Sequence, residues 1–264
     1  MGGADLVLLW SLHASATPLP TPEAFGGAVE VVQSERWGWW EKSLVLTLPG
    51  ATRVLSTNEG FVEAELVVNH AAHPSLWVRA FQELEQEGQS GGDVYLAGVK
   101  SKTATDRGVT EARIALTGTA VDMDHLAVVT QRFDPFVVTA LVTAGASSNA
   151  HRAGTDSGNH IETAGTVNII LYINAQLTDA AMLNAVMMAT EAKTAAFQDL
   201  NVASTYTPEA QATGTGTDTV IVIPSATGPV VPYAGAHAKV GELIAKATHQ
   251  AVRASLIAHD RPQK

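Results

Sequence analysis

The sequence predicts an α+β fold: one mixed α/β domain whose mostly antiparallel or mixed sheet is covered by long helices over 178–200 and 236–258. Three observations predict it. Short runs rich in β-branched residues, GAVEVVQ, SLVLTLP and FVEAELVVN, recur through the first third, separated by the turn-forming PTPEAFGG and TNEG. Two later runs, PFVVTALVTAG and GTVNIILYIN, are almost wholly apolar, the pattern of strands covered on both faces. Two long helical stretches lie beside them, with no regular strand–helix alternation to impose a parallel sheet.

Taken in chain order, the strand-rich part runs from about 25 to 117. Within it PSLWVRAFQELEQEG predicts a helix: Pro74 fits the first turn, Leu76, Ala80, Phe81 and Leu84 form a stripe, and Gly88 stops it. GGDVYLAGV reads as a strand, and ATDRGVTEARIALTGTAV fits neither period. HLAVVTQ and the two apolar runs are strands, and the polar stretch Ala146 to Gly165 between those runs is a long loop of the kind that often carries function. A helix over 178–200, a strand from Thr219 to Ile223 and a helix over 236–258 complete a single domain spanning 1–264.

Composition excludes several classes. With 46% hydrophobic residues the chain can bury a core, and 26 acidic against 16 basic residues, a net charge of -10, repel nucleic acid and anionic membranes. The lack of cysteine removes disulfides, thiolate metal sites and a cysteine nucleophile. The N-terminal LVLLW followed by ASA looks faintly like a secretory leader, but Asp5 stands where a positive charge belongs, and Ser11 and His13 cut the run short. No run approaches the roughly 20 apolar residues of a spanning helix. The expectation is a cytoplasmic protein.

Chemistry is concentrated in four places. In the helix over 178–200, Lys193 falls on the apolar face among Met182, Val186, Ala189, Phe197 and Leu200; either its ammonium snorkels past the helix end or it meets a buried anion. Glu191 lies on the opposite, polar stripe. In the last helix His237 falls in the first turn, where the positive helix pole keeps an imidazole neutral and able to accept a proton, with Gly241 clearing space beside it. The long loop supplies Asn149, His151, Arg152, Asp156 and His160 without metal-binding spacing, and Arg152 suits carboxylate, phosphate or carbonyl oxygens. The stretch ATGTGTDTVIVIP is neither a Walker loop nor a dinucleotide fingerprint. Its Gly214 and Gly216 offer backbone N–H groups beside the hydroxyls of Thr213, Thr215 and Thr217, a donor set suited to an oxyanion or a polar ligand.

Four ordered blocks, VTAGASSNAHRAG, TAGTVNIILYINAQLTDAAMLNAVMMATEAKTAAFQDLNV, ATGTGTDTVIVIP and YAGAHAKVGELIAKA, resemble the adenosylcobinamide amidohydrolase family over about 118–258, the motif-bearing part, with the N-terminal part fitting only loosely. The resemblance implies hydrolysis of the amide joining aminopropanol to the corrin side chain, giving adenosylcobyric acid in corrinoid salvage toward cobalamin. The cobalt belongs to the substrate, so no protein cofactor and no metal ligands are implied; the implied partner is the corrinoid, with neither nucleic acid nor membrane, and a homo-oligomer is compatible with it. Carried onto this chain, the motifs imply His237, Glu191, Lys193, Asp218 and Arg152 as catalytic residues. Asn149, Asn168, Thr213, Gly214, Thr215, Gly216, Lys239 and Glu242 are implied as substrate-binding. With no GxSxG elbow, water is the expected nucleophile, His237 or Glu191 its base, and Arg152, Lys193 or the N–H groups of the Gly214–Gly216 loop the oxyanion donors, with Asp218 orienting a partner. A corrinoid-binding protein without catalysis and an amidase for another small amide are the alternatives.

Overall fold

A computed structural model describes residues 14–84, 89–158 and 164–259. In chain order these form β1 (Ser15–Pro18), β2 (Ala28–Arg36), β3 (Trp39–Ser56), β4 (Gly60–Ala72), α1 (Pro74–Glu83), α2 (Gly91–Arg107), β5 (Ile114–Thr119), β6 (Ala127–Phe133), β7 (Phe136–Ala144), β8 (Ala150–His151), β9 (Val167–Ile173), β10 (Gln176–Leu177), α3 (Asp179–Asp199), β11 (Gly214–Thr215), β12 (Thr219–Pro224), β13 (Val230–Val231) and α4 (Lys239–His259). The chain is a single α+β domain built on a large curled mixed sheet.

Nine of the described strands join in that sheet, in the order β1-β2-β3-β12-β9-β7-β6, with β4 on the other edge of β3 and β5 beyond β4. The long strand β3 makes the curl. Its first half pairs with β2, its end pairs with β12 through Leu55↔Val222 and Ser56↔Ile221, and its register against β4 slips between Thr47 and Thr52, around Pro49 and Gly50. Such an irregularity bends a strand and increases its twist. The two arms of the sheet therefore fold toward each other. Leu44, Leu46, Val67 and Ala115 of one arm share a core with Leu141, Ile170, Tyr172 and Ile221 of the other.

Helices cover both outer faces. The apolar β7 and β9, buried along almost their whole length, pack outward against Met182, Ala189 and Phe197 of α3 and Val240, Ile244 and Ala251 of α4, as the apolar runs predict. At the other arm Leu66, Val68 and Leu116 meet Leu76 and Trp77 of α1 and Tyr95 and Val99 of α2.

Pro74 opens α1 behind an N-cap made by the His73 side chain on the Ser75 N–H, as expected for that stretch. Gly88 lies outside the described residues, as do His160 and the N-terminal LVLLW. The expectation of a strand at GGDVYLAGV is corrected: these residues begin α2. Ser90 accepts the Asp93 N–H, Asp93 suits the positive helix pole, and Gly108 ends the helix in the left-handed region at φ 66. That helix takes only the start of ATDRGVTEARIALTGTAV, through Arg107, and β5 takes Ile114–Thr119.

One buried chain of hydrogen bonds fastens α2 to the sheet. Ser43 Oγ is 2.8 Å from His70 Nδ1, His70 Nε2 is 2.8 Å from the Tyr95 hydroxyl, and that hydroxyl donates to Glu41 Oε1 at 2.6 Å. Arg36 pairs with the same carboxylate at 3.0 Å. Because the tyrosine proton goes to Glu41, a neutral imidazole with its proton on Nε2 satisfies every partner. Burial of His70 pushes its pKa down to about 4, in keeping with that neutral form.

Candidate active site

The site is best built from Asp218, which stands just before β12. Parallel pairing of β12 with β9, starting at Thr219↔Asn168, sets Asp218 beside the first residue of β9, and its Oδ1 accepts the Val167 N–H at 3.0 Å. Oδ2 accepts the Thr215 N–H at 3.0 Å, and the Thr215 hydroxyl and the Lys193 ammonium complete the shell. Lys193 is 8% exposed, so of its two expected fates the buried anion is the observed one.

The alternation of glycine and threonine in ATGTGTDTVIVIP follows from this packing. A Cβ on Gly214 would lie 2.3 Å from Asp218 Oδ2 and 2.4 Å from Lys193 Nζ, and one on Gly216 would lie 2.9 Å from Asn149 Oδ1. Thr215 wraps the carboxylate, and Thr213 takes the Ala153 N–H at 3.0 Å. Two of the loop's N–H groups, those of Thr215 and Gly216, donate inside the protein, the latter to the Asn149 carbonyl at 3.3 Å.

The long loop is anchored in the same way. Asn149 donates to the Gly165 carbonyl at 2.9 Å and accepts from the Tyr206 hydroxyl at 2.8 Å. Arg152 gives its guanidinium to the Gln211 carbonyl at 3.2 Å. Asp156 accepts from Ser204, Thr207 and the Arg152 N–H, each at 2.6 Å. The Ser204 bond first, then that of Thr207, holds the Asp156 carboxyl down at about 2. Asn168 is fully buried and clasps the two arms of the sheet, donating to Asn69 Oδ1 and the Gly118 carbonyl at 2.9 Å each.

Beside this cluster opens a cleft of about 630 Å³, between the end of β5, the start of α2 and the turns entering β9 and β12. Strand β5 pairs only with β4, so its other edge faces this space. Asp218, Gly216, Thr166 and Thr219 form one wall; Trp77, Ser90, Asp93 and Thr117 belong to the other. Among the described lining residues Asp93 and Asp218 are the only charged side chains, and threonine hydroxyls supply most of the polarity. Such a lining suits a ligand that is neutral or cationic and rich in hydrogen-bonding groups; a phosphate would meet two carboxylates.

The remaining expected residues lie elsewhere. His237 precedes α4 rather than standing in its first turn, and it is exposed. It also lies beyond the far end of β12 from Asp218, a strand of six residues that spans roughly 20 Å. The cleft touches the Gly-Thr loop and not His237. Lys239 and Glu242 pair with each other on the same distant end, where Lys239 also lies 4.5 Å from the Phe133 ring centroid. The Lys239 ammonium, followed by that of Lys246, holds the Glu242 carboxyl down at about 2. Glu191 is exposed on α3 and lines no part of the cleft. No group of three or more potential metal-ligating side chains occurs among the described residues, and none of their helices is long and apolar enough to cross a membrane.

Asp93, Trp77 and Thr117 were not among the expected residues. The signal for Asp93 was the pattern Ser90-x-x-Asp93, a helix-start signature at the very place read as a strand. Trp77 and Thr117 carry no local pattern; the curl of the sheet alone brings them to the site.

The model of the adenosylcobinamide amidohydrolase family matches residues 28–263. The chain belongs to that family. The match reaches well into the N-terminal part, which the motif blocks left out, and so includes both walls of the cleft. An uncharacterized protein of Methanocaldococcus jannaschii is 41% identical over 237 residues, 83% of this chain and 88% of that protein. An adenosylcobinamide amidohydrolase of Methanosarcina mazei is 33% identical over 52% of this chain and 64% of its own length, and one of Halobacterium salinarum is 34% identical over 57% and 61%.

Proposed function

We propose that the protein hydrolyses adenosylcobinamide at the amide between the corrin side chain and aminopropanol, and that it does so in the cleft between β5, α2 and the Gly216–Thr219 turn. Family membership supports the reaction class. The lining supports the ligand class, because a corrinoid presents carboxamides at its periphery and no anion that the two carboxylates would repel. Cobalt enters as part of the substrate.

In this reading a water molecule attacks the amide carbonyl carbon. The new C–O bond forms as the water gives a proton to a base, the carbonyl oxygen carries negative charge in the tetrahedral state, and the C–N bond then breaks as the base returns that proton to the nitrogen, leaving a carboxyl group and aminopropanol. Asp93 is the acceptor for the water proton: its Oδ2 takes the Ser90 hydroxyl, while Oδ1 has no partner among the described residues. Asp218, already holding four donors, positions the turn that forms the opposite wall. The products are adenosylcobyric acid and aminopropanol, a step of corrinoid salvage.

Incubation of the purified protein with adenosylcobinamide, followed by mass spectrometry, tests this. Release of aminopropanol with a matching corrinoid acid is the expected result. Unchanged substrate that is nonetheless bound would favour the second reading, a corrinoid-binding protein without catalysis. One observation favours that reading: His237 and Glu191, the bases implied by the motif blocks, both lie outside the cleft.

A further inference from the structure

Thr117 carries a hydroxyl that nothing among the described residues satisfies. The residue is 1% exposed, and its Oγ1 is buried with no hydrogen-bond partner. Buried hydroxyls nearly always find one, so an orphan at a cleft calls for a reason. The strand fixes its direction. Thr117 pairs in register with Asn69, whose side chain turns into the space between the two arms to reach Thr143 at 2.9 Å and Asn168. Residues in register share a face of the sheet, so Thr117 turns inward too, toward the segments that enter β9 and β12 and form the opposite wall of the cleft.

The same cleft receives the N-terminus of α2, a helix of 17 residues. Ser90 caps the Asp93 N–H at 3.1 Å, which leaves the N–H groups of Gly91 and Gly92 without intrahelical acceptors. Packing fixes this helix end. A Cβ on Gly91 would lie 2.0 Å from the Ala80 carbonyl oxygen, and one on Gly92 would lie 2.7 Å from the Phe81 ring, so α2 starts hard against α1. The Thr117 hydroxyl, on the inner face of β5, and the helix start, packed with Leu116 on its outer face, line the cleft from different sides. The ligand atom that fits the Thr117 hydroxyl is an oxygen acceptor carrying little charge of its own in the ground state, because Asp93 and Asp218 line the same cleft.

We propose that Thr117 binds the carbonyl oxygen of the scissile corrinoid carboxamide arm. This subsite rests on the amidohydrolase reading for its substrate. Its logic is that a donor left unpaired in the free protein is paid for by the ligand that pairs it. Thr117 is then a binding residue for the scissile arm, and its contribution grows as negative charge builds on the oxygen.

The test is Thr117→Val, which keeps the shape and removes the hydroxyl, beside Thr117→Ser, which keeps the hydroxyl. Calorimetric binding of adenosylcobinamide and of adenosylcobyric acid is measured for each protein, with turnover and melting temperature. The valine variant is expected to melt no lower than wild type, because an unpaired hydroxyl is exchanged for a methyl group. Its affinity for adenosylcobinamide should fall about tenfold and that for adenosylcobyric acid by less, kcat/KM should fall further, and the serine variant should keep most of both. A folded valine variant that binds both corrinoids and turns over as wild type does would overturn the proposal. If valine prevents folding, Thr117→Ala carries the same comparison. Should the wild type bind corrinoids without cleaving them, the amidohydrolase reading fails on that result alone, and the affinities of the variants still decide the subsite.

Discussion

Lys193 reaches out of the apolar face of α3 to Asp218, joining the helix layer to the edge of the cleft through a pair whose side chains are 10% and 14% exposed. Removing one partner of such a pair strands the other. Lys193→Met should cost about 3 kcal/mol in urea unfolding, and adding Asp218→Asn to it should recover part of that loss. Wild-type stability in Lys193→Met would mean that the three remaining donors suffice for Asp218.

Gly214 tests the same contact from the backbone side. Gly214→Ala places a methyl group within 2.4 Å of the Lys193 ammonium nitrogen, so the ion pair must open. A loss of about 2 kcal/mol is expected, read as a lower melting temperature. Turnover should fall with it, because Asp218 and the adjoining wall of the cleft move together.

His237→Ala is expected to leave kcat/KM within about twofold of wild type, the usual latitude of an exposed position outside the site. Steady-state kinetics on adenosylcobinamide settles this. A hundredfold loss in a folded variant would return the base to His237 and imply a second cleft at the far end of β12.

Asp93→Asn should lower kcat by about a hundredfold or more while corrinoid affinity changes little, because the amide can still accept the Ser90 hydroxyl but cannot take a proton from water. Single-turnover rates with direct binding measurements separate the two effects. Equal loss of binding and turnover would make Asp93 a structural cap of α2.

His70 predicts the response to acid. Its folded pKa of about 4 lies below the roughly 6.5 of an unfolded histidine, so between those values the unfolded chain holds the extra proton and stability falls as pH falls. The loss should approach about 3 kcal/mol between pH 7 and pH 4. His70→Gln should flatten the slope of unfolding free energy over that window, whatever it does to stability at pH 7. An unchanged slope would place the acid sensitivity elsewhere, with Asp156, held down by Ser204, acting only between about pH 4 and 2.

What could be read in advance follows from the range of the interactions. The burial of β7 and β9 was legible because an uninterrupted apolar run has one physical meaning, and α3 and α4 because their apolar residues repeat at helical spacing. For Lys193 an anion was legible only as one of two fates, and not as Asp218, which lies 25 residues away. Helix α2 was misread because Gly91 and Gly92 weaken the helical signal, while the cap at Ser90 that outweighs them is a single side chain. The cleft itself was hidden. Its walls come from Thr57 to Ala120 and from Ala164 to Thr219, and only the slip in β3 brings these segments face to face.

That curl also sets a timetable for synthesis. Strand β3 cannot complete its pairing, and the cleft has no second wall, until β12 has been made, about 100 residues after β5. At elongation rates of roughly 5–20 residues per second the delay is roughly 5–20 s. Over that interval the end of β3 lacks its partner and, with the open edge of β5, can recruit a foreign strand. A chain of high contact order made this slowly depends on its early arm staying unpartnered, so chaperone supply should limit the yield of active protein more than its final stability does.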